Sequence, residues 1–173
     1  MSTFVFNDES EEESGDQKVC SDKFWRILVV DDDDSVHQIT KLVLADAVVE
    51  GRKLELVSAY SSKEAQDILA DDDSFCMAFV DVVMETDHAG LELVEWIRKE
   101  KRNQAIRLIL RTGQAGNAPE AKVIKEFDIN DYKEKTDLTS QKLYSTIYTS
   151  LRSYRDLIAL NNNRRGLEHV IQA

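Results

Sequence analysis

Short apolar runs recur along this chain, and each is followed by a stretch with apolar positions three and four apart. The first run spans Arg26 to Val30. A helix is predicted from about Ser35, with Val36, Ile39, Val43 and Ala47 at helical spacing. Lys53 to Ala59 forms the second strand. Ser61-Ser62-Lys63-Glu64 has the capping-box pattern that opens a second helix, and Asp71-Asp72-Asp73 closes it. Cys76-Met77-Ala78-Phe79-Val80-Asp81 reads as a buried third strand. The third helix begins near Ala89, with Leu91, Val94 and Ile97 on one face. Ile106 to Arg111 is the fourth strand. Pro119 suits the first turn of a fourth helix, where its missing N–H costs little. The fifth strand is about Ile129 to Lys133. Strands alternating with helices at these lengths predict an α/β domain, a parallel sheet covered on both faces.

The last helix outruns that domain. Thr139 is its expected N-cap, with Leu138 and Leu143 placed as a hydrophobic staple. Leu143, Ile147, Leu151, Tyr154 and Ile158 follow at helical spacing. Leu157, Leu160, Leu167 and Ile171 carry apolar positions on to the chain's end, across polar Asn161, Asn162 and Asn163. Gly166 weakens such a helix by ~1 kcal/mol without having to break it. Persistent periodicity predicts a signalling helix rather than a frayed tail. At the other end, residues 1–22 are polar and acidic around Glu11-Glu12-Glu13. They read as a mostly disordered leader, with Phe4, Val5 and Phe6 as the alternative, a short docking peptide.

The predicted strands end in chemistry. Ile27-Leu28-Val29-Val30 runs into Asp31 and Asp32, and the third strand closes on Asp81. The fourth leads to Thr112, and Ile129-Asn130-Asp131-Tyr132 leads to Lys135. Ligands bind outside the carboxyl ends of strands in a parallel α/β sheet. Three carboxylates, a hydroxyl and an ammonium would converge there. Such a set can hold a divalent cation, accept a phosphoryl group on an aspartate and neutralise its charge.

Composition narrows the partners. The 173 residues allow one ordinary domain plus tails, and a net charge of −11 argues against nonspecific nucleic-acid binding, which needs clustered Lys and Arg. No apolar run approaches the ~20 residues that span a bilayer, and the amino terminus lacks a secretory pattern. No membrane partner is expected, and the expected location is cytoplasmic. Cys20 and Cys76 are far apart in sequence; Cys76, at a strand start, reads as a small core hydrophobe.

These motifs resemble the receiver domain of two-component response regulators over about Lys23 to Tyr154. The resemblance implies a doubly wound, flavodoxin-like fold with five parallel strands in the order 2-1-3-4-5 and, here, an extended C-terminal helix. It implies that Asp81 is the phosphoacceptor for a histidine kinase or phosphotransfer protein, with Lys135 and Thr112 assisting. Thr112 and Tyr132 would be the switch pair, altering the face built by the fourth and fifth strands and the helices after them. The implied cofactor is Mg²⁺. Asp32, Asp81 and the Val83 backbone carbonyl would be its ligands, and Asp31 would act through a metal-bound water. The domain itself would not be an enzyme beyond transfer to itself and its own dephosphorylation.

The chain departs from the family pattern. Glu85 replaces the usual proline, one extra residue precedes Gly90, and Thr136 stands where receivers have proline in a cis peptide. Either the cis bond is retained, or the loop rearranges. His88, in the altered loop, reads as solvated. Arg111-Thr112-Gly113-Gln114-Ala115-Gly116, Asn130-Asp131-Tyr132-Lys133-Glu134-Lys135 and Ser153-Tyr154-Arg155-Asp156-Leu157 give a narrower resemblance. They are similar to receivers ahead of HD-GYP-type cyclic-di-GMP phosphodiesterase modules. The expected organisation is a leader (1–22), a receiver (23–154) and a helical linker (155–173) that dimerises and leads to an output module in a longer chain.

Two other classes compete. Asp31-Asp32-Asp33-Asp34-Ser35 loosely fits the motif of a haloacid-dehalogenase-type phosphatase, with Asp31 as nucleophile and Asp33 as general acid. The other is a receiver fold that binds partners without being phosphorylated.

Overall fold

The computed structural model describes residues 23–113, 120–137 and 139–171. The expected leader, Gln114, Pro119 and Leu138 lie outside them. The elements run β1 (Phe24–Val30), α1 (Asp34–Leu44), β2 (Val48–Val49), β3 (Arg52–Ala59), α2 (Ser62–Asp71), β4 (Met77–Asp81) and α3 (Ala89–Glu95). A π-helical turn (Trp96–Glu100), β5 (Arg107–Thr112), α4 (Glu120–Phe127), β6 (Asp131–Glu134), a 3-10 turn (Lys135–Asp137) and α5 (Ser140–Ile171) complete the order.

The sheet has six strands in the order β2-β3-β1-β4-β5-β6, correcting the expected five. Five of them are parallel and reproduce the predicted order. The addition is β2, which pairs antiparallel with the edge strand β3. Glu50 and Gly51 join them with φ of 49° and 78°. Positive φ at both central residues makes the two-residue turn that matches strand twist. Tyr144 of α5 donates its hydroxyl to the Val48 carbonyl at 3.1 Å, so the added strand is tied to the last helix.

Alternation along the strands divides the core in two. Leu28, Val30, Ala78, Val80, Leu108 and Leu110 pack with α2 and α3 on one face. Ile27, Val29, Met77, Phe79 and Ile109 pack with Leu143, Ile147 and Leu151 of α5 on the other. Cys76 is buried in that second cluster, and its thiol lies 2.9 Å from the Arg26 carbonyl. The central strands β1, β4 and β5 are therefore covered on both sides, which explains their apolar runs.

Helix α1 corrects the predicted face in part: Val43 and Ala47 pack on the second core cluster, but Ile39 does not. His37, Thr40 and Leu44 are its buried residues, whereas Ile39 is 59% exposed and Leu42 79%. The turn of the helix, rather than the count of apolar side chains, decides which stripe meets the sheet. The α2 cap forms as predicted. Ser61 accepts from the Glu64 N–H at 3.1 Å. The Glu64 carboxylate accepts from Tyr60 N–H, one residue earlier than the box pattern, at 2.7 Å.

Helix α5 is a single helix of 32 residues, about 48 Å long at 1.5 Å per residue. Leu143, Ile147, Leu151 and Tyr154 are buried on the sheet, and Ile158 packs against their edge. Beyond that point Leu160 and Leu167 are 65% and 63% exposed. The helix therefore leaves the domain without losing its register, and Gly166 does not interrupt it.

Gly90, in the first turn of α3, lies hard against β4. A Cβ there would run into the Asp81 carbonyl oxygen and the Val82 backbone, neither of which can yield. Gly90→Ala should lower unfolding free energy by about 2 kcal/mol, as overpacking does. Chemical denaturation against wild type checks this.

Candidate functional site

Three strands deliver carboxylates and an ammonium to one end of the sheet. Asp31 follows β1, and its N–H donates to the Ala59 carbonyl of β3 at 3.1 Å. Asp81 is the last residue of β4 and is 3% exposed. Lys135 begins the turn after β6. Its ammonium sits 2.7 Å from an Asp81 oxygen and 3.1 Å and 3.2 Å from the two Asp31 oxygens. Each of Asp31, Asp32 and Asp81 offers a carboxylate oxygen, and these lie within 4.8 Å of one another.

The aspartates in the β1–α1 segment have different surroundings. Asp31 is fully buried and its carboxylate also accepts the Asp33 N–H at 3.0 Å. Asp32 is exposed. Asp33 is the N-cap of α1, accepting from the Ser35 N–H at 2.9 Å and the Ser35 hydroxyl at 2.6 Å. Those bonds hold its carboxyl below the usual range. A carboxylate held ionised in a cap is poorly suited to donate a proton, which counts against the phosphatase reading. Asp34 is the acidic residue of the first turn, favoured by the helix dipole.

Burial pushes the Asp81 carboxyl above its ordinary range, and the nearby Asp31 charge adds to this. Together they outweigh the Lys135 hydrogen bond and the N–H of Val83. Burial lowers Lys135, but its bonds to Asp81 and Asp31 prevail and hold it above its usual value. The Val83 N–H donates to Asp81, and Val83 is 46% exposed.

Thr112 and Tyr132 share a face of the sheet. Thr112 ends β5 and is 5% exposed. Tyr132, opposite Leu110, is half-buried and packs on the α2–α3 core cluster. The altered loops resolve simply. Glu85, in place of proline, accepts from the Ser62 N–H of α2 at 2.8 Å, where the helix dipole favours an acid. The Lys135–Thr136 peptide is trans, and the chain takes a 3-10 turn there. Lys135 still reaches both carboxylates. His88 is exposed, and its side chain does not cap α3.

Two residues near the site escaped the sequence reading. His37 Nε2 lies 2.7 Å from the Asp31 carbonyl oxygen, and its ring packs 4.4 Å from that of Tyr60. Arg111 is fully buried, with its guanidinium 3.5 Å from Asp31 and 5.1 Å from the Phe79 ring centroid. Burial lowers its pKa, against the pull of Asp31 and Asp81. An arginine placed directly after the apolar run Leu108-Ile109-Leu110 and before Thr112 was the available signal for the second.

Comparison with known proteins places the whole arrangement. The response regulator receiver domain matches residues 27–147, most of the chain, and this protein belongs to that family. A second match, a domain of unknown function (DUF3369), covers residues 147–173. A curated relative, 3'3'-cGAMP-specific phosphodiesterase 2 of Vibrio cholerae, is 49% identical over 172 residues, covering 98% of this chain. The chain spans about a third (33%) of that relative's length. The signal receiver domain of an HD domain-containing protein from Pseudomonas fluorescens shares the fold with a TM-score of 0.64. It is 20% identical, and the match covers 78% of this chain and 99% of that one. A receiver domain from Clostridium thermocellum gives 0.64 at 24% identity, covering 77% and 98%. The fold and family are those expected. No helix among the described residues is long and apolar enough to cross a membrane.

The raised pKa of Asp81 has a consequence for stability. A carboxyl raised in the folded state contributes stability below its unfolded pKa and loses it as pH rises through the folded value. Near neutral pH the ionised group is therefore a cost. Without metal, Asp81→Asn should be more stable than wild type by on the order of 1 kcal/mol. The gain should shrink as pH falls through that raised value and be gone below the ordinary aspartate range. Denaturation midpoints across pH in a chelating buffer measure it.

Proposed function

We propose that this domain accepts a phosphoryl group on Asp81 from a histidine kinase or phosphotransfer protein, in a Mg²⁺-dependent step. The observation that carries this is the Lys135 ammonium 2.7 Å from Asp81, within a cluster of three carboxylates. An all-oxygen donor set fits Mg²⁺, which takes few protein carboxylates and keeps several waters. When bound, Mg²⁺ would offset charge on the incoming phosphoryl oxygens. Phosphoryl transfer needs mainly positioning and charge stabilisation. The Asp81 oxygen attacks phosphorus, the bond to the donor's leaving group breaks, and Lys135 then holds the phosphoryl oxygens. Asp32, exposed beside the buried pair, and the Val83 carbonyl would complete the protein's share of the ligands with Asp81, and Asp31 would act through a water.

Thr112 would bond a phosphoryl oxygen, and Tyr132 would repack as Thr112 moves. The two stand on one face of β5 and β6, where Ile124 and Phe127 of α4 also pack, which supports a switch carried first to α4 and from there to the surface it shares with α5. Residues 23–154 would be the receiver and 155–173 the linker. The exposed Leu160 and Leu167 on the projecting α5 favour a parallel coiled coil between two copies. The output would be a cyclic-dinucleotide phosphodiesterase in a longer chain. The relative's name specifies cGAMP, whereas the sequence motifs had led to cyclic-di-GMP. Any such activity would lie outside this chain.

With a small phosphodonor and Mg²⁺, wild type should be labelled and Asp81→Asn should not. Full labelling of the variant would exclude Asp81. Calorimetric Mg²⁺ titration should show Asp32→Ala weakened more than Asp31→Ala, because Asp31 is already committed to cations. Truncation after Tyr154 should leave a folded receiver with weaker self-association. Equal dimer affinity by sedimentation would rule out the coiled coil.

A further inference from the structure

We infer that Arg111 is a second built-in cation of the acidic site, which disfavours Mg²⁺ in the resting state and favours the phosphorylated, metal-loaded one. The inference rests on the phosphoacceptor reading, and deepens it with a residue that sets charge without touching the reacting atoms.

The guanidinium is 0% exposed and stands opposite Asp81 in the β4–β5 register. It lies 3.5 Å from the Asp31 carboxylate. Its Nε, Nη1 and Nη2 have no hydrogen-bond partner among the described residues. It also lines a cleft of about 230 Å³ between α1 and α5, with Lys135, Val36, Val43 and Leu143. A buried arginine is ordinarily held by a fork of hydrogen bonds to carboxylate or carbonyl oxygens. This one is held by charge and by the Phe79 ring face. What it contributes to its surroundings is therefore a positive charge, little screened by salt.

The sum of nearby charges gives that contribution a direction. Three carboxylates face two cations, Lys135 and Arg111, so the resting cluster carries one net negative charge. With Lys135 alone it would carry two. Mg²⁺ brings the actual cluster to one net positive charge, which favours an anionic phosphodonor. An aspartyl phosphate, carrying roughly two negative charges in place of one, then closes the sum near zero. Without Arg111 the metal alone would neutralise the resting cluster, and the phosphoryl group would leave it negative. The arginine thus ties metal retention to phosphorylation.

The test is Mg²⁺ calorimetry on the unphosphorylated chain with Arg111→Met and Arg111→Gln, both neutral. Each should bind Mg²⁺ about tenfold more tightly than wild type, and the ratio should persist at high salt. Arg111→Lys should stay near wild type. With a small phosphodonor, the two neutral variants should reach a several-fold lower phosphorylated fraction at saturating Mg²⁺. Unchanged or weaker Mg²⁺ affinity in a folded neutral variant would overturn the inference. So would unfolding of both, judged by circular dichroism, because Arg111 would then be a structural ion-pair partner. The calorimetric arm involves no phosphorylation. Failure of wild type to be labelled would strike the phosphoacceptor reading while leaving that arm decisive for Arg111.

Discussion

The Lys135 ammonium lies between Asp81 and Asp31, and the site cannot be understood without it. Carboxylates with oxygens within 4.8 Å of one another repel strongly where water is scarce. Lys135 stands 104 positions from Asp31 and 54 from Asp81 in sequence, so local structure cannot bring them together. A parallel sheet can, because all its carboxyl ends point one way. Leu28–Ala78 and Ala78–Leu108 pairing fixes the strands in register, and packed cores on both faces keep them there. Slipping one strand by a single residue would turn its apolar side chains and its terminal charge to the wrong face.

Close packing continues around Asp81. Gly90 lets α3 approach the Asp81 backbone, and its N–H reaches the Val82 carbonyl at 3.1 Å. The loop between them differs from the usual receiver pattern, yet it gains an anchor, since Glu85 caps α2. The turn after β6 differs as well, and a trans peptide with a 3-10 turn delivers Lys135 to the same two carboxylates. What matters at these positions is where the chain leaves the ammonium and the backbone N–H groups. More than one loop sequence meets that requirement.

The domain and its projecting helix share one element. The first half of α5 buries Leu143, Ile147 and Leu151 on the sheet, while its second half presents Leu160 and Leu167 to solvent. A rigid helix transmits a rotation or shift at its base along its full length. The receiver match gives way to the DUF3369 match at residue 147, inside this helix. The helix is therefore continuous across two sequence families.

Strand positions, helix order, the α2 cap and the terminal acids were legible in the linear sequence because each rests on local periodicity or on residues close together. Asp31, Asp32 and Asp81 were also identifiable there, since each sits at the end of an apolar run, and Lys135 by its place after the last strand, whose end meets theirs at the same edge of the sheet. Other features depended on distant contacts. The two-residue β2 is too short to show a period, and it exists because β3 offers it an edge and Tyr144 a hydroxyl. Polar His37 and Thr40 face inward on α1, where His37 Nε2 meets the Asp31 carbonyl and the Thr40 hydroxyl donates to the Val36 carbonyl. Along the chain Arg111 is one of two arginines flanking the apolar run Leu108-Ile109-Leu110. Its place beneath the acidic site, beside Asp31 and Phe79, follows from three strands meeting. Residue order determined which groups end each strand, and three-dimensional packing decided which charges became neighbours, because Coulomb interaction depends on distance in space and not along the chain.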